Sequence, residues 1–223
     1  MRAKLSVVIP TLNAAEALPA CLGALMEGVE AGLIRELVIS DGGSRDATLP
    51  IAEEAGAVQV SGPASRGGQL RRGAAAAEGD WLLFLHADSR LPAGWAGLVT
   101  EHMETGLPAY FRLKFDVSGA APVAVAGWAN VRSRVFRLPY GDQGLLISRR
   151  EYRAIGGYAD IPLMEDVAMS RALKGRLRML PAALTTSAAR YRRDGWLRRG
   201  LRNLSLLLRY FAGVDPDRLV RRY

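Results

Sequence analysis

The chain has 223 residues, 49% hydrophobic and 23% charged, with a formal net charge of +8. That suits one large globular domain, or one domain with an appendage, and excludes a disordered or fibrous chain. Cys21 is the single cysteine, so no intramolecular disulfide can form, and a reducing cytoplasmic setting is expected.

Leu5–Ile9 meets Pro10 too early to serve as a secretory signal core. The longest uncharged stretch, residues 117–131, carries Pro122 and is shorter than the roughly 20 residues that span a bilayer. No membrane-spanning segment is expected. The charge is concentrated: residues 190–223 hold ten Arg and three Asp, 10 − 3 = +7, leaving the body nearly neutral. Attraction to a polyanion therefore belongs to the tail.

In chain order, Leu5–Ile9 reads as a strand followed by Pro10-Thr11-Leu12-Asn13. Asn13 and Glu16 have the spacing of a capping box for a helix with Leu18, Cys21, Leu22 and Leu25 on one face. Glu36–Ser40 is the second strand, then the turn Asp41-Gly42-Gly43-Ser44 and a helix from Asp46 to Ala55 stopped by Gly56. Ala57–Ser61 is the third strand, and Arg66-Gly67-Gly68 opens an alanine-rich helix to about Ala77. Trp81–Leu85 is an uncharged run between turn signals, the pattern of a strand buried on both faces of a parallel sheet. His86-Ala87-Asp88 follows at its carboxyl end, where Asp88 has two readings: a ligand-facing carboxylate, or a cap for the next helix.

Beyond residue 90 the pattern is less regular. Tyr110–Val117 alternates as a half-exposed strand, Pro122–Phe136 is helical, and Gln143–Ser148 is a strand. A short helix stops at Gly156-Gly157, and Met164–Lys174 is a helix with Glu165 and Asp166 in its first turn. Gly195–Phe211 has a basic side with Arg198, Arg202 and Arg209 opposite an apolar side with Trp196, Leu197, Leu201, Leu204, Leu207, Leu208 and Phe211. Such a helix either closes its own domain or lies on an anionic membrane surface. Nucleic acid is not an expected partner, since the aromatics lie away from the arginines.

Alternation of strand and helix through the first 90 residues predicts an α/β fold: a Rossmann-like, mostly parallel sheet with flanking helices and a smaller irregular half. The loops at residues 10–13, 41–44 and 86–88 then share one sheet edge, and Gly42 and Gly43 let backbone approach a ligand there. A dinucleotide fingerprint and a Walker A motif are both absent. Of Arg66, Arg71 and Arg72, Arg71 is the first candidate to reach a phosphate. Gly141-Asp142-Gln143-Gly144 either faces an acceptor or forms a plain turn.

Ser6–Asn13, Glu36–Thr48, Trp81–Asp88, Ile155–Tyr158 and Met164–Arg171 together resemble the family 2 glycosyltransferases, in that family's order. A further likeness is to a short bacterial branch grouped with radical-SAM and arsenosugar-biosynthesis proteins. The resemblance implies a GT-A fold, a nucleotide-diphosphate sugar donor and a hydroxyl acceptor. It implies that Thr11 and Asp41 contact the nucleotide base or ribose; with the shared sheet edge, the expected donor-site lining is Pro10, Thr11, Asn13, Asp41, Gly42, Gly43, Arg71, His86, Ala87 and Asp88. Asp88 would hold Mn2+ or Mg2+ against the diphosphate, and Asp166, with Glu165 beside it, would be the general base. His86 stands where the family's Asp-x-Asp motif has its first Asp, and Gly42 where many members have a second Asp. On this basis residues 1–190 are the catalytic domain, with a nucleotide-binding half (1–90) and an acceptor half (91–190), and residues 191–223 a basic amphipathic tail. The expected location is cytoplasmic, or peripheral at the inner membrane face. Rival readings are a non-catalytic nucleotide-sugar-binding protein of the same fold, and a membrane-surface protein acting through the tail.

Overall fold

The computed structural model describes residues 3–173 and 175–220. Its first half runs β1 (Leu5–Thr11), α1 (Leu18–Gly23), α2 (Met26–Glu30), β2 (Ile34–Asp41), α3 (Thr48–Glu54), β3 (Val58–Ser61), α4 (Arg66–Ala76) and β4 (Trp81–Phe84). The second half runs α5 (Trp95–Met103), β5 (Ala109–Phe115), α6 (Ala120–Phe136), a 3-10 turn at Gly141–Gln143, β6 (Leu145–Ser148), α7 (Arg149–Ala154), α8 (Glu165–Ala172), β7 (Arg178–Thr186), α9 (Ala189–Asp194), α10 (Trp196–Phe211) and α11 (Pro216–Val220). The expected helix end at Lys174 and the last tail residues, 221–223, lie outside the described residues.

The strands form one sheet in the order β3-β2-β1-β4-β6-β5-β7. β1, β2, β3 and β4 pair in parallel, as the alternating pattern requires. β6 enters antiparallel between β4 and β5, and β7 pairs parallel to β5. Two apolar layers sandwich the sheet. Leu5, Val7 and Ile9 point to Leu18, Cys21, Leu25, Trp95 and Val99; Val8 points to Leu70, Ala74, Tyr152 and Met169. Every residue of β4 is buried.

Several boundaries differ from expectation, each for a local reason. Asn13 does not cap a helix: its φ is 49°, its side chain accepts a hydrogen bond from Arg45 N at 2.9 Å, and α1 starts at Leu18. Asp88 does not cap α5, whose N-cap is Gly94, with Glu27 accepting from Gly94 N and Ala96 N. β5 is not half-exposed throughout. Ala109, Tyr110 and Phe111 are all buried, because helices cover both faces there, and alternation begins only at Arg112. Gln143 belongs to the 3-10 turn and not to β6. β7 was not anticipated. Pro181 interrupts its pattern, and pairing skips from Tyr110–Met179 to Arg112–Ala183 around it, the irregularity a proline forces on an edge strand.

The tail packs onto the body. Leu206, Leu207 and Leu219 bury against Leu163, Met164 and Val167, while Trp196 stacks on Tyr191 and meets Phe115 edge-on. Among the described residues no helix is long and apolar enough to cross a membrane.

Candidate active site

Topology brings five chain segments to one sheet edge. β1 and β2 end level with each other, Thr11 opposite Asp41, and β4 leaves alongside them. Because β6 runs the other way, with Leu145 opposite Phe84, the turn at Gly141–Gln143 lies beside the loop after β4. β7 ends at Thr186 on the same edge and leads into α9.

The first two loops are stitched together. Asp41 is 1% exposed and accepts from Thr11 Oγ1 (2.8 Å), Ser44 Oγ (2.6 Å), Gly43 N (2.8 Å) and Ser44 N (2.7 Å). Burial pushes its carboxyl up, but these donors outweigh it and hold the pKa below the ordinary carboxylate value. Asn13 N donates to Ser44 Oγ at 2.8 Å, and Ala14 N to Thr48 Oγ1 at 2.8 Å. Pro10 comes after the last β1–β4 pair, Val8–Phe84, so its missing N–H breaks no ladder bond there. Asp41 and Thr11 thus shape the loop from within, while Asn13 lies exposed on it. Gly42 is explained by Gln69, whose amide would lie 3.1 Å from an added Cβ; Gly43 has φ 97°. Gln69 Nε2 donates to Thr11 O and Ser40 O, tying α4 to both strand ends. Sequence reasoning missed it; a lone Gln among glycines and alanines carries no pattern.

The loop after β4 is held from below, Ala87 packing on the core and Cys21 Sγ lying 3.5 Å from His86 O. Burial, with Asp88 adding to it, pushes the Cys21 thiol up to about 12, so it is inert. The guanidinium of Arg66 packs against the His86 imidazole, with Nη2 2.9 Å from Nδ1, and its Nε donates to Glu165 Oε1 at 2.9 Å. Burial first, then Arg66 and Arg190, drive the His86 pKa well down, so the imidazole is neutral. Gly141 completes this knot: a Cβ there would fall 2.5 Å from His86 Nε2.

Asp166, Glu165 and Asp142 meet here. Asp166 Oδ2 accepts from Gly141 N at 2.9 Å and Oδ1 from Val167 N at 2.7 Å, fixing the carboxylate plane. Glu165 is 2% exposed; burial, with Asp166 beside it, raises its pKa against the opposing pull of Arg66. Asp142 Oδ1 is buried and has no hydrogen-bond partner among the described residues. Burial raises the Asp142 pKa to about 6, Asp166 and Asp88 adding to the rise and Arg132 and Arg66 opposing it. Gln143 turns inward, bonding Phe111 O and Ser133 Oγ. Of the two turn side chains, Asp142 alone lines the cleft.

Asp88, His86, Asp142, Glu165, Asp166, Arg66, Arg132 and Arg190 line one cleft of about 810 Å³. Arg71 does not join them; it points along α4 toward Tyr158 O at 3.5 Å. Arg66 is the arginine at the site, and its place at the first turn of α4 follows from Ser65 capping that helix. Among the described residues no three His, Cys, Asp or Glu side chains cluster as metal ligands. A cation that keeps waters and takes oxygens from a bound phosphate needs only one or two carboxylates. Asp88, with the Asp142 oxygen nearby, fits such an ion; His86, whose two ring nitrogens both face the Arg66 guanidinium, does not fit as a second ligand.

Residues 6–122 match the family model for glycosyl transferase family 2. A PGL/p-HBAD biosynthesis glycosyltransferase of Mycobacterium bovis is 40% identical over 93 residues, which span 39% of this chain and 36% of that protein. Among solved structures, S. aureus TarS superposes with a TM-score of 0.64 at 16% identity, over 92% of this chain and 40% of that one. Glucosyl-3-phosphoglycerate synthase from Mycobacterium tuberculosis, in complex with Mn2+, UDP and glucosyl-3-phosphoglycerate, gives 0.61 at 20%, over 82% and 71%. The sheet and its flanking helices are thus of the GT-A type these structures share. The matched segment is about a third of the curated relative's length.

Proposed function

The chain belongs to glycosyl transferase family 2, and from that premise we propose that it moves a glycosyl group from a nucleotide-diphosphate sugar to an acceptor hydroxyl with inversion. The observation that carries this is Asp166, held by two backbone N–H groups in the same cleft as Asp88. The acceptor O–H gives its proton to Asp166 as the oxygen bonds to the anomeric carbon. The bond from that carbon to the diphosphate breaks, and its electron pair leaves with the nucleoside diphosphate. Mn2+ or Mg2+, held by Asp88 with Asp142 at hand, would neutralise the charge on that leaving group. Arg66 and Arg190 supply fixed positive charge to the same cleft, which makes up for the histidine at position 86. Glu165 acts on the reaction through Arg66, which it anchors. Asp41 acts through the shape of its loop, and Asn13, Gly43 and Ala87 present that edge to the nucleotide.

UDP is the nucleotide to try first, because it occupies structural neighbours of this fold. Thermal unfolding with UDP, with and without Mn2+, tests the donor site. A ligand at 100 times its Kd stabilises by about 2.7 kcal/mol. Asp88→Asn is expected to remove the Mn2+-dependent part of that protection. Unchanged Mn2+-dependent protection in Asp88→Asn would refute the assignment of the metal carboxylate.

A further inference from the structure

The cleft does not end at its acidic residues. It continues outward between α6 and α10, whose facing sides are apolar. On α10, Leu197, Leu201, Leu204 and Leu208 recur every three or four residues, one stripe of a helix, and they are 76%, 58%, 39% and 60% exposed. Across from them α6 presents Trp128 and Phe136, 55% and 61% exposed. All six line the same cleft as Asp88 and Asp166. Large apolar residues left in water on two neighbouring walls mark a binding surface, since folded monomers seldom leave contiguous apolar patches of this kind open. The helices have no folding reason to face this way. α10 already anchors itself through Leu206 and Leu207, and its buried Arg199 and partly buried Arg202 pair with Asp194 at 2.7 and 2.6 Å.

We propose, taking the transferase function above as the basis, that the acceptor is an amphiphile: a hydroxyl-bearing head at Asp166 and a hydrocarbon chain lying in the α6–α10 groove. Continuity of the groove with the carboxylates selects this occupant. A second protein copy seated on the same walls would close the mouth through which the acceptor hydroxyl must reach Asp166. At 1.5 Å per residue the 16 residues of α10 give the groove a wall of about 24 Å, long enough for an extended chain. Arg198 and Arg209, exposed on the same helix, add the charge that suits a helix working beside anionic lipid, where such an acceptor resides.

Binding of n-alkyl β-D-glucosides with eight, ten and twelve carbons to the full chain, below their micelle concentrations, tests the proposal by isothermal titration. Full burial of each added methylene tightens binding about fourfold. The wild-type protein is expected to show a steep, saturable dependence on chain length. Leu201→Glu, at an exposed position that tolerates charge in the fold, flattens it, and Trp128→Glu does the same from the opposite wall. Thermal unfolding of each variant confirms that it is folded. No chain-length dependence, or one unchanged in both variants, overturns the proposal. A wild-type dimer split by Leu201→Glu, without saturable alkyl binding, assigns the groove to a second copy and overturns it. Flotation on phosphatidylglycerol vesicles without saturable alkyl binding assigns the surface to membrane contact alone and overturns it as well. UDP–Mn2+ protection measured on the same samples separates the two ideas. Its absence counts against glycosyl transfer, while its presence without alkyl binding counts only against the amphiphile.

Discussion

Replacing Asp41 with Ala removes an acceptor that four donors share. Hydrogen bonds to a charged group contribute about 1.5–3 kcal/mol each, and neutral ones about 0.5–1.5. Gly43 is exposed and Ser44 only partly buried, so their N–H groups regain water when the carboxylate goes; Thr11, 2% exposed, cannot. The net loss is therefore well below the full sum, on the order of 3–5 kcal/mol, with Thr11 the largest share. Asp41→Asn keeps an oxygen for the two backbone donors and offers its amide to the two hydroxyls, which can rotate to accept. It loses charge assistance alone and is expected to destabilise by about 1–2 kcal/mol. Urea unfolding of wild type, Asp41→Asn and Asp41→Ala, with equal m-values, measures both. Nucleotide binding is expected to weaken in parallel with the loop. If Asp41→Ala unfolds within 1 kcal/mol of wild type while UDP binding is lost, Asp41 is a direct ligand contact and the hydrogen-bond reasoning is wrong. The pH dependence has a definite sign: with a depressed folded pKa, this carboxylate stabilises above its ordinary pKa and that stability is lost as pH falls through the folded value.

Asp142 has the opposite sign. Its pKa is raised from 3.8 to about 6, so stability is fully present below the lower value and is lost as pH rises through the higher one, by up to about 3 kcal/mol. Asp142→Asn is expected to flatten that stretch of a melting-temperature profile against pH; an unchanged profile would show that burial does not govern this group. Leu206→Ala, at a residue 3% exposed, should destabilise by about 2–5 kcal/mol, and Leu201→Ala, 58% exposed, by far less, both read from urea unfolding. Equal losses at the two positions would mean that both stripes of α10 are buried, and a larger loss at Leu201 that the helix packs by its other stripe.

Much of the fold was legible because its signals are local and strong. Trp81–Phe84 is apolar without interruption because helices cover both faces of that strand, and Gly56 and Gly156 end helices where a left-handed residue is needed. The parallel order of β1 to β4 followed from the alternation of elements. β7 was illegible because Pro181 breaks its period, and the antiparallel entry of β6 because register is set by distant partners. The same antiparallel entry carries Asp142 to Asp166 and Asp88, which no spacing along the chain reveals. Arg66 was underrated beside Arg71 for a related reason. Arg66 opens α4 and is drawn to His86 and Glu165 from two other elements, while Arg71, one turn on, faces a carbonyl of the 158 loop. Asp41 was visible as important, but a carboxylate that binds a ligand and one that ties a loop look alike in sequence. The tail's apolar face was equally visible; its division into a docked stripe at Leu206–Leu207 and an open one at Leu201–Leu208 depends on where α6 and α8 stand.

The most direct measurement is the single-turnover rate of Asp166→Asn, with nucleotide binding determined on the same preparation. Asparagine keeps an oxygen for one backbone donor, so the cleft should hold its shape. If Asp166 is the base, the rate is expected to fall by about 10²–10⁴-fold, the usual worth of positioned proton transfer, while Mn2+-dependent UDP binding stays within about twofold. A fall in UDP binding that matches the fall in rate would make Asp166 a metal or donor residue. An unchanged rate would remove it from the reaction and contradict the mechanism.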